Sequence, residues 1–457
     1  MRFPAEPWGK ARPSQRRIPQ TTGDAEPLLA CPPVPAALTD PLELPCGLAL
    51  ANRLARAAMT EGIADRRNDP GERHVRLYAA NARGGAGLVL TGNAMVDRRH
   101  LERARNVVID AATDEAALRR WARSAAGAPT LVQLSHPGRQ VNRYVQPHPV
   151  APSDGPAVRI AGAFGRPRAL TLAEIAEVRA RFVDAAARVV GAGFPGVQIH
   201  GAHGYLVSSF LDPEQNRRTD AYGGDLGGRA RLLLEILEGM RAALPAEAAV
   251  AVKLDARDGA DAELAALGRR LEAGGIDLIE ISGGSYERPL MAGYDERGEE
   301  LHPEHESPFW NAAAAVSAAV RAPVMLTGGF RTRAEVDRAL AAGVCDIVGV
   351  GRPLAVHPDL AGRFVRGETD VLDRPGPRLG GPAPVRRLLG AAAGTGWHRI
   401  QLARTAAGRP PLLRYPALLA AIDYTSVDWA QALLARRARL RLAERVPPPH
   451  AQVPPRR

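Results

Sequence analysis

Eight short runs of nearly continuous apolar residues, separated by longer stretches of helical period, occupy the chain from about Pro41 to Arg366. The runs are Asn52–Ala58, Gly87–Thr91, Pro129–Leu134, Gly196–His200, Ala249–Leu254, Asp277–Ser282, Pro323–Thr327 and Asp346–Gly351. A strand that is apolar at almost every position is buried on both faces, which is the signature of a parallel sheet. The stretches between fit amphipathic helices. Thr171–Gly191 opens with Thr171 as N-cap and Glu174 completing a capping box, and Thr332–Ala342 is similar in character. Eight such β–α steps predict an α/β fold, a closed (β/α)8 TIM barrel, over residues 38–369.

The flanks read differently. Residues 1–37 are rich in Pro and Arg and lack the apolar core of a secretory signal, so they are expected to form a disordered arm on a cytoplasmic protein. Residues 370–457 hold helical pieces, Pro384–Ala393 and Ser426–Leu442, split by Pro and Gly, and read as a C-terminal helical extension. No apolar run reaches the ~20 residues of a membrane span. The net charge of +11 gathers in the two tails and aromatics are only 5% of the chain, which argues against nucleic acid as a partner. The expected partner is a small molecule, and a homo-oligomer is compatible with the sequence. The three cysteines, Cys31, Cys46 and Cys345, lie far apart with no Cys or Cys/His ligand spacing, so neither a disulfide framework nor a metal site is expected.

In such barrels the chemistry gathers where strands end. The fourth run ends in His200-Gly201-Ala202-His203-Gly204-Tyr205, two imidazoles and a phenol within six residues. The two imidazoles suit a shared oxyanion; capping or core histidines are the plainer alternative, and a metal pair lacks a third ligand at matching spacing. The fifth run carries Lys253, the one lysine besides Lys10. A buried ammonium needs an anion, which an anionic cofactor ring would supply, as would Asp255 or Asp277. Gln133 closes the third run with an amide that both donates and accepts. The seventh and eighth runs end in Thr327-Gly328-Gly329-Phe330-Arg331 and Gly349-Val350-Gly351-Arg352, where glycine backbone and arginine suit a phosphate, or simply tight turns.

Several stretches together resemble a known family. Asn52-Arg53-Leu54, Ala58-Met59-Thr60, His200-Gly-Ala-His203-Gly-Tyr205-Leu206, Asn216-Arg217-Arg218-Thr219-Asp220 and Tyr222-Gly223-Gly224 are similar to Old Yellow Enzyme-type NADH:flavin oxidoreductases, the ene-reductase family, over about residues 38–366. The resemblance implies FMN held by Ala58, Met59, Thr60, Asn93, Gln133, Lys253, Gly329, Gly351 and Arg352. It implies a substrate carbonyl or nitro group held by His200 and His203, Tyr205 as proton donor, and Thr60 as the residue that tunes the cofactor. The chain departs from the family at Glu214, at Gly227-Gly228 and in the short loop Ala256–Asp261, and Lys253 stands where many members have Arg. No Cys-rich cluster follows the barrel, so a match to the larger relatives with an iron–sulfur centre and a second flavin domain is not expected.

The expected reaction is ping-pong: NADH or NADPH delivers hydride to FMN and leaves, and an activated alkene then receives it. Two other readings stay open at this level. One is a barrel lyase or aldolase with Lys253 as Schiff-base nucleophile; the other is an FMN-binding protein of weakened activity.

Overall fold

The computed structural model describes residues 36–158, 164–285, 287, 307–373, 375–377 and 383–446. The expected N-terminal arm falls almost wholly outside them. The described residues belong to one compact unit.

Among them, eight strands close into a barrel. They are β1 (Leu54–Arg56), β2 (Leu88–Leu90), β3 (Thr130–Ser135), β4 (Gly196–Gly201), β5 (Ala249–Asp255), β6 (Leu278–Ser282), β7 (Val324–Thr327) and β8 (Ile347–Val350). Each pairs in parallel with the next, and β8 pairs with β1. Every one of the eight apolar runs holds a strand. The first is shorter than its run, and at its start the Asn52 side chain adds to the ladder. Its Oδ1 accepts from Leu54 N–H and Gly87 N–H, and its Nδ2 donates to Gly85 O. Helices α1 (Glu72–Ala82), α2 (Glu115–Ser124) and α3 (Leu172–Gly191) follow the first three strands. The short α4 (Leu206–Leu211) and then α5 (Leu226–Ala243) follow β4, and α6 (Asp261–Ala273), α7 (Trp310–Ser317) and α8 (Arg333–Ala341) follow the next three. The capping box at Thr171 and Glu174 is formed, and Thr332 and Glu335 form a second one.

Two apolar layers hold the barrel. The outer one lies between strands and helices, with Val132, Phe182, Ile199, Ile236, Ile279 and Val348 among its members. The inner one fills the lower barrel with Ala55, Leu88, Leu131, Ala251, Leu278, Met325 and Ile347. A hairpin, Leu42–Glu43 against Ala49–Leu50, contributes Leu44 and Leu50 to that inner layer.

Beyond β8 come two short helices, α9 (Arg352–Val356) and α10 (Leu360–Val365), and then the extension: α11 (Ala383–Ala406), α12 (Ala417–Ile422) and α13 (Asp428–Glu444). The sequence pattern ends the first helical piece of this region at Ala393, yet α11 runs on through Gly394 and Gly396. Gly396 is there for packing: a Cβ on it would sit 2.2 Å from Ala420 O, so glycine lets α12 lie directly on the helix. Trp397 then packs with Val356 and Ala420. Ala432 of α13 joins Met95, Leu101, Val141 and Val145 over the loops after β2 and β3.

Candidate active site

Side chains on a strand alternate faces, so two residues beyond each inner-layer position another side chain points into the barrel. Leu131, Ala251, Leu278, Met325 and Ile347 of the lower layer are followed in this way by Gln133, Lys253, Glu280, Thr327 and Gly349. The barrel interior therefore turns from apolar to polar within one pleat. Gln133, Gln198, Lys253 and Glu280 are all buried. Gln133 Nε2 donates to Gln198 Oε1 at 2.8 Å, and Gln198 Nε2 donates to Glu280 Oε2 at 2.7 Å. The other oxygen, Glu280 Oε1, accepts from Thr327 Oγ1 at 2.6 Å and lies 2.9 Å from Lys253 Nζ. Gly349 makes room for this: a Cβ there would fall 1.9 Å from Thr327 Oγ1.

The partners expected for Lys253 are corrected by this arrangement. Asp277 sits at the opposite end of the barrel, where it pairs with Arg241 and accepts from Val250 N–H. Asp255 bonds the turn after β4. The parallel register instead puts Glu280 of β6 level with Lys253. A carboxylate in Leu278-Ile279-Glu280-Ile281 is the same signal that singles out Lys253, and Gln198 in β4 matches Gln133 in β3; both are legible in the sequence once the inward face is known.

His200 lies level with Lys253 on the other side. Ala202 N–H donates to His200 Nδ1 at 3.3 Å, so the neutral ring carries its proton on Nε2. His203 has the left-handed backbone, φ 63°, that bends its side chain back toward β4. The two rings stand edge to face, 5.1 Å between centroids, and Tyr205 meets His200 at 4.8 Å. His203 Nε2 is 3.4 Å from Ser282 Oγ. Burial, then the Lys253 charge, holds both imidazoles far below their ordinary pKa, so they are neutral at pH 7. The turn is pinned from outside: Asp255 Oδ1 accepts from His203 N–H at 2.7 Å, and Oδ2 accepts from Ser208 Oγ at 2.6 Å. Burial outweighs those bonds and pushes the Asp255 carboxyl up to about 6.

Ala58, Met59 and Thr60 follow β1 and are half-buried. Thr60 Oγ1 donates to Asn93 Oδ1 at 2.9 Å and lies 3.2 Å from Glu102 Oε2, which also accepts from Asn93 Nδ2 at 3.0 Å. Nothing in the sequence pattern points to Glu102; it lies in an irregular loop, where no period marks an inward face. Its neighbour Arg103 stacks on the Tyr424 ring of the extension, 3.7 Å from guanidinium to centroid. Gly351, the N-cap of α9, lies against Met59, with a would-be Cβ 3.5 Å from Sδ. Gly329 has φ 94°, and a Cβ there would lie 2.8 Å from Ser307 Cα. Gly329, Gly351 and Arg352 are half-buried at the same end of the barrel as Thr60.

Asp97, His100 and His136 also meet, with ligand-type atoms within 4.8 Å of one another. Asp97 spends its oxygens on Arg99 and lies 3.6 Å from Arg181, and His136 Nδ1 accepts from Gly138 N–H. An imidazole with Nδ1 so engaged keeps its proton on Nε2, which makes it a poor metal ligand.

Residues 38–370 match the model of a family described as NADH:flavin oxidoreductase / NADH oxidase. The NADH-dependent flavin oxidoreductase iliE of Hypocrea jecorina (strain QM6a) is 40% identical over 346 residues, covering 70% of this chain and 86% of that protein. The NADH-dependent flavin oxidoreductase iccE of Talaromyces variabilis is 36% identical, covering 70% and 84%. The structure is similar to that of the old yellow enzyme homologue from Zymomonas mobilis, with TM-score 0.63, 27% identity, and 73% and 94% of the two chains covered. It is also similar to morphinone reductase in complex with tetrahydroNAD, with TM-score 0.62, 25% identity, and 75% and 93% covered.

The residues present fit FMN. The upper barrel offers a fixed ammonium, an amide and a hydroxyl, which suit the carbonyls and N–H of a flavin ring. At Gly329 a side chain is sterically excluded by Ser307, and a bare glycine backbone at this end of the barrel suits a phosphate. With Arg352 beside Gly351, that end carries a charge of the right sign.

Proposed function

The chain belongs to the NADH:flavin oxidoreductase / NADH oxidase family, whose cofactor is FMN and whose hydride donor is NAD(P)H, and on that premise we propose that it reduces activated alkenes, namely α,β-unsaturated carbonyl compounds and nitroalkenes. The observation that carries the reading is the His200–His203 pair, neutral, buried and edge to face, with Tyr205 against it and Lys253 level with it. When bound, FMN supplies the hydride chemistry, accepting from the nicotinamide and giving to the substrate.

The chain's own residues do the rest. Gln133, Lys253, Thr60 and Asn93 hold the flavin ring; Ala58 and Met59 line it; Gly329, Gly351 and Arg352 hold the phosphate. His200 donates from Nε2 to the substrate's carbonyl or nitro oxygen, and His203 provides the second contact. Negative charge grows on that oxygen as hydride reaches the β-carbon, so fixed neutral donors favour the transition state over the ground state. Neutral imidazoles also avoid clamping a carboxylate or phosphate as a dead-end ion pair. Tyr205 protonates the α-carbon; a phenol of ordinary pKa about 10 stays protonated at neutral pH.

The test separates the two half-reactions. Tyr205→Phe keeps the ring and loses the proton. Bleaching of the bound flavin by anaerobic NADH proceeds nearly as in wild type, while single-turnover reoxidation by an enone slows by about 10²-fold. Equal reoxidation rates assign the proton to water or another group. Simple phenols give a long-wavelength charge-transfer band that His200→Ala weakens sharply; wild-type holoprotein showing no band with any phenol removes the oxyanion site from this pair. Failure of borohydride to trap a carbonyl substrate on Lys253 eliminates the lyase alternative.

A further inference from the structure

We propose that Glu280 is a positioning residue that decides which atom of Gln133 faces the cofactor: through Gln198 it turns the Gln133 carbonyl oxygen outward, toward a hydrogen-bond donor on the flavin. The inference rests on the reading that Gln133 contacts FMN.

The polarity of the row follows from donor and acceptor counting. Glu280 is fully buried, and its Oε1 is already claimed by Lys253 Nζ and Thr327 Oγ1. An ionised carboxylate has no hydrogen to give, so whatever meets Oε2 must donate. Gln198 meets it at 2.7 Å and must therefore present Nε2. Its other end, Oε1, can then only accept, and Gln133 presents Nε2 to it at 2.8 Å. Gln133 keeps its Oε1 and one further Nε2 hydrogen; with Nε2 turned toward Gln198, Oε1 is the end of the amide left to face away from the row. In a buried row a reversed member would set two donors or two acceptors against each other. The end of the row is an acceptor because its beginning is an anion. The flavin group that suits an acceptor is its imide N3–H, while Lys253, a donor, suits the carbonyl beside it.

Glu280→Gln reverses the row. Lys253 and Thr327 still donate to the position of Oε1, so the new amide oxygen stays there and its NH2 faces Gln198. Gln198 turns over to accept, Gln133 turns over to donate, and an NH2 now confronts N3–H. Apoprotein is titrated with FMN and with 3-methyl-FMN, which lacks the N3–H. Wild type prefers FMN by about tenfold or more, and Gln133→Leu loses that preference, which separates a hydrogen bond from crowding of the methyl group. In Glu280→Gln the preference falls to near one, mainly through weaker FMN binding. Gln198→Met, which cuts the row in the middle, lowers it too and serves should Glu280→Gln fail to fold. A wild-type protein without the preference, or one whose preference survives Gln133→Leu, refutes Gln133 as a cofactor contact. A Gln133-dependent preference that survives undiminished in both Glu280→Gln and Gln198→Met overturns the role of Glu280 and leaves the contact standing.

Discussion

The lower and upper halves of the barrel interior are built on the same strands, two residues apart, and are held by different physics. Below, Leu131, Leu278, Met325 and Ile347 pack without a polar atom among their side chains. Above, Gln133, Gln198, Lys253, Glu280 and Thr327 form a connected polar row with a buried ion pair at its centre. Dispersion and dehydration stabilise the first, and neither depends on orientation. The second stabilises little by itself, since desolvating two charges offsets most of their attraction. It fixes which way each donor and acceptor points. Rigidity below and polarity above are what a ligand at the barrel mouth needs.

The comparison is sharpest where one partner of the ion pair is removed. Lys253→Met leaves Glu280 charged and unpaired in the barrel, and unfolding by urea should reveal a loss of about 3–5 kcal/mol. The reduction potential of bound FMN should fall as well, because a negative charge is then uncompensated beside it. Lys253→Met/Glu280→Leu should recover most of the stability; a double variant as unstable as the single one would mean that the methionine itself does not fit. In the lower half, Leu278→Ala should cost about 3 kcal/mol through the cavity it leaves. Its FMN affinity and potential should stay at wild-type values. A shifted potential there would show that the two halves are not independent.

A smaller effect is expected at Thr327→Val, which removes one of the donors to Glu280 at nearly constant volume. Its cost should be about 1.5 kcal/mol, the scale of a hydrogen bond to a charged group. Additivity with Lys253→Met in a double-mutant cycle would argue against a shared network. A change of another kind, visible only as a dependence on pH, concerns the rim. The Asp255 carboxyl is raised from its ordinary 3.8 to about 6 in the folded chain, so the folded state favours the protonated form. Its contribution is complete below about pH 4 and is lost as pH rises through about 6. Stability measured from pH 4 to 7 should therefore decline less in Asp255→Asn than in wild type, and an identical pH profile would remove Asp255 from the titrating groups.

Much of this architecture is legible in the amino-acid sequence. The eight apolar runs each contain a barrel strand, because a strand buried on both faces has no room for polar residues and so writes its position directly. The Thr171 and Thr332 caps are legible for a similar local reason: the capping residue and its bonding partner are three positions apart. The stretch from His200 to Tyr205 is legible because its members are neighbours in the chain. Glu102 carries no such local mark, and Glu280 and Gln198, marked only as polar residues within apolar strands, do not show which partners they meet. Each acts through partners many residues away, 82 between Gln198 and Glu280 and 42 between Thr60 and Glu102.

The sequence by itself determined the layering: which segments are strands, which end of each is polar, and that a single lysine enters the barrel. Periodicity and burial are local properties, and a chain cannot conceal them. The tertiary structure alone decided the pairing. Closure of the barrel set Lys253 level with both His200 and Glu280, a matter of register between strands, and no feature of one strand states its register against another. It also decided that Gly396 is a contact rather than a helix end, since only the approach of α12 distinguishes the two.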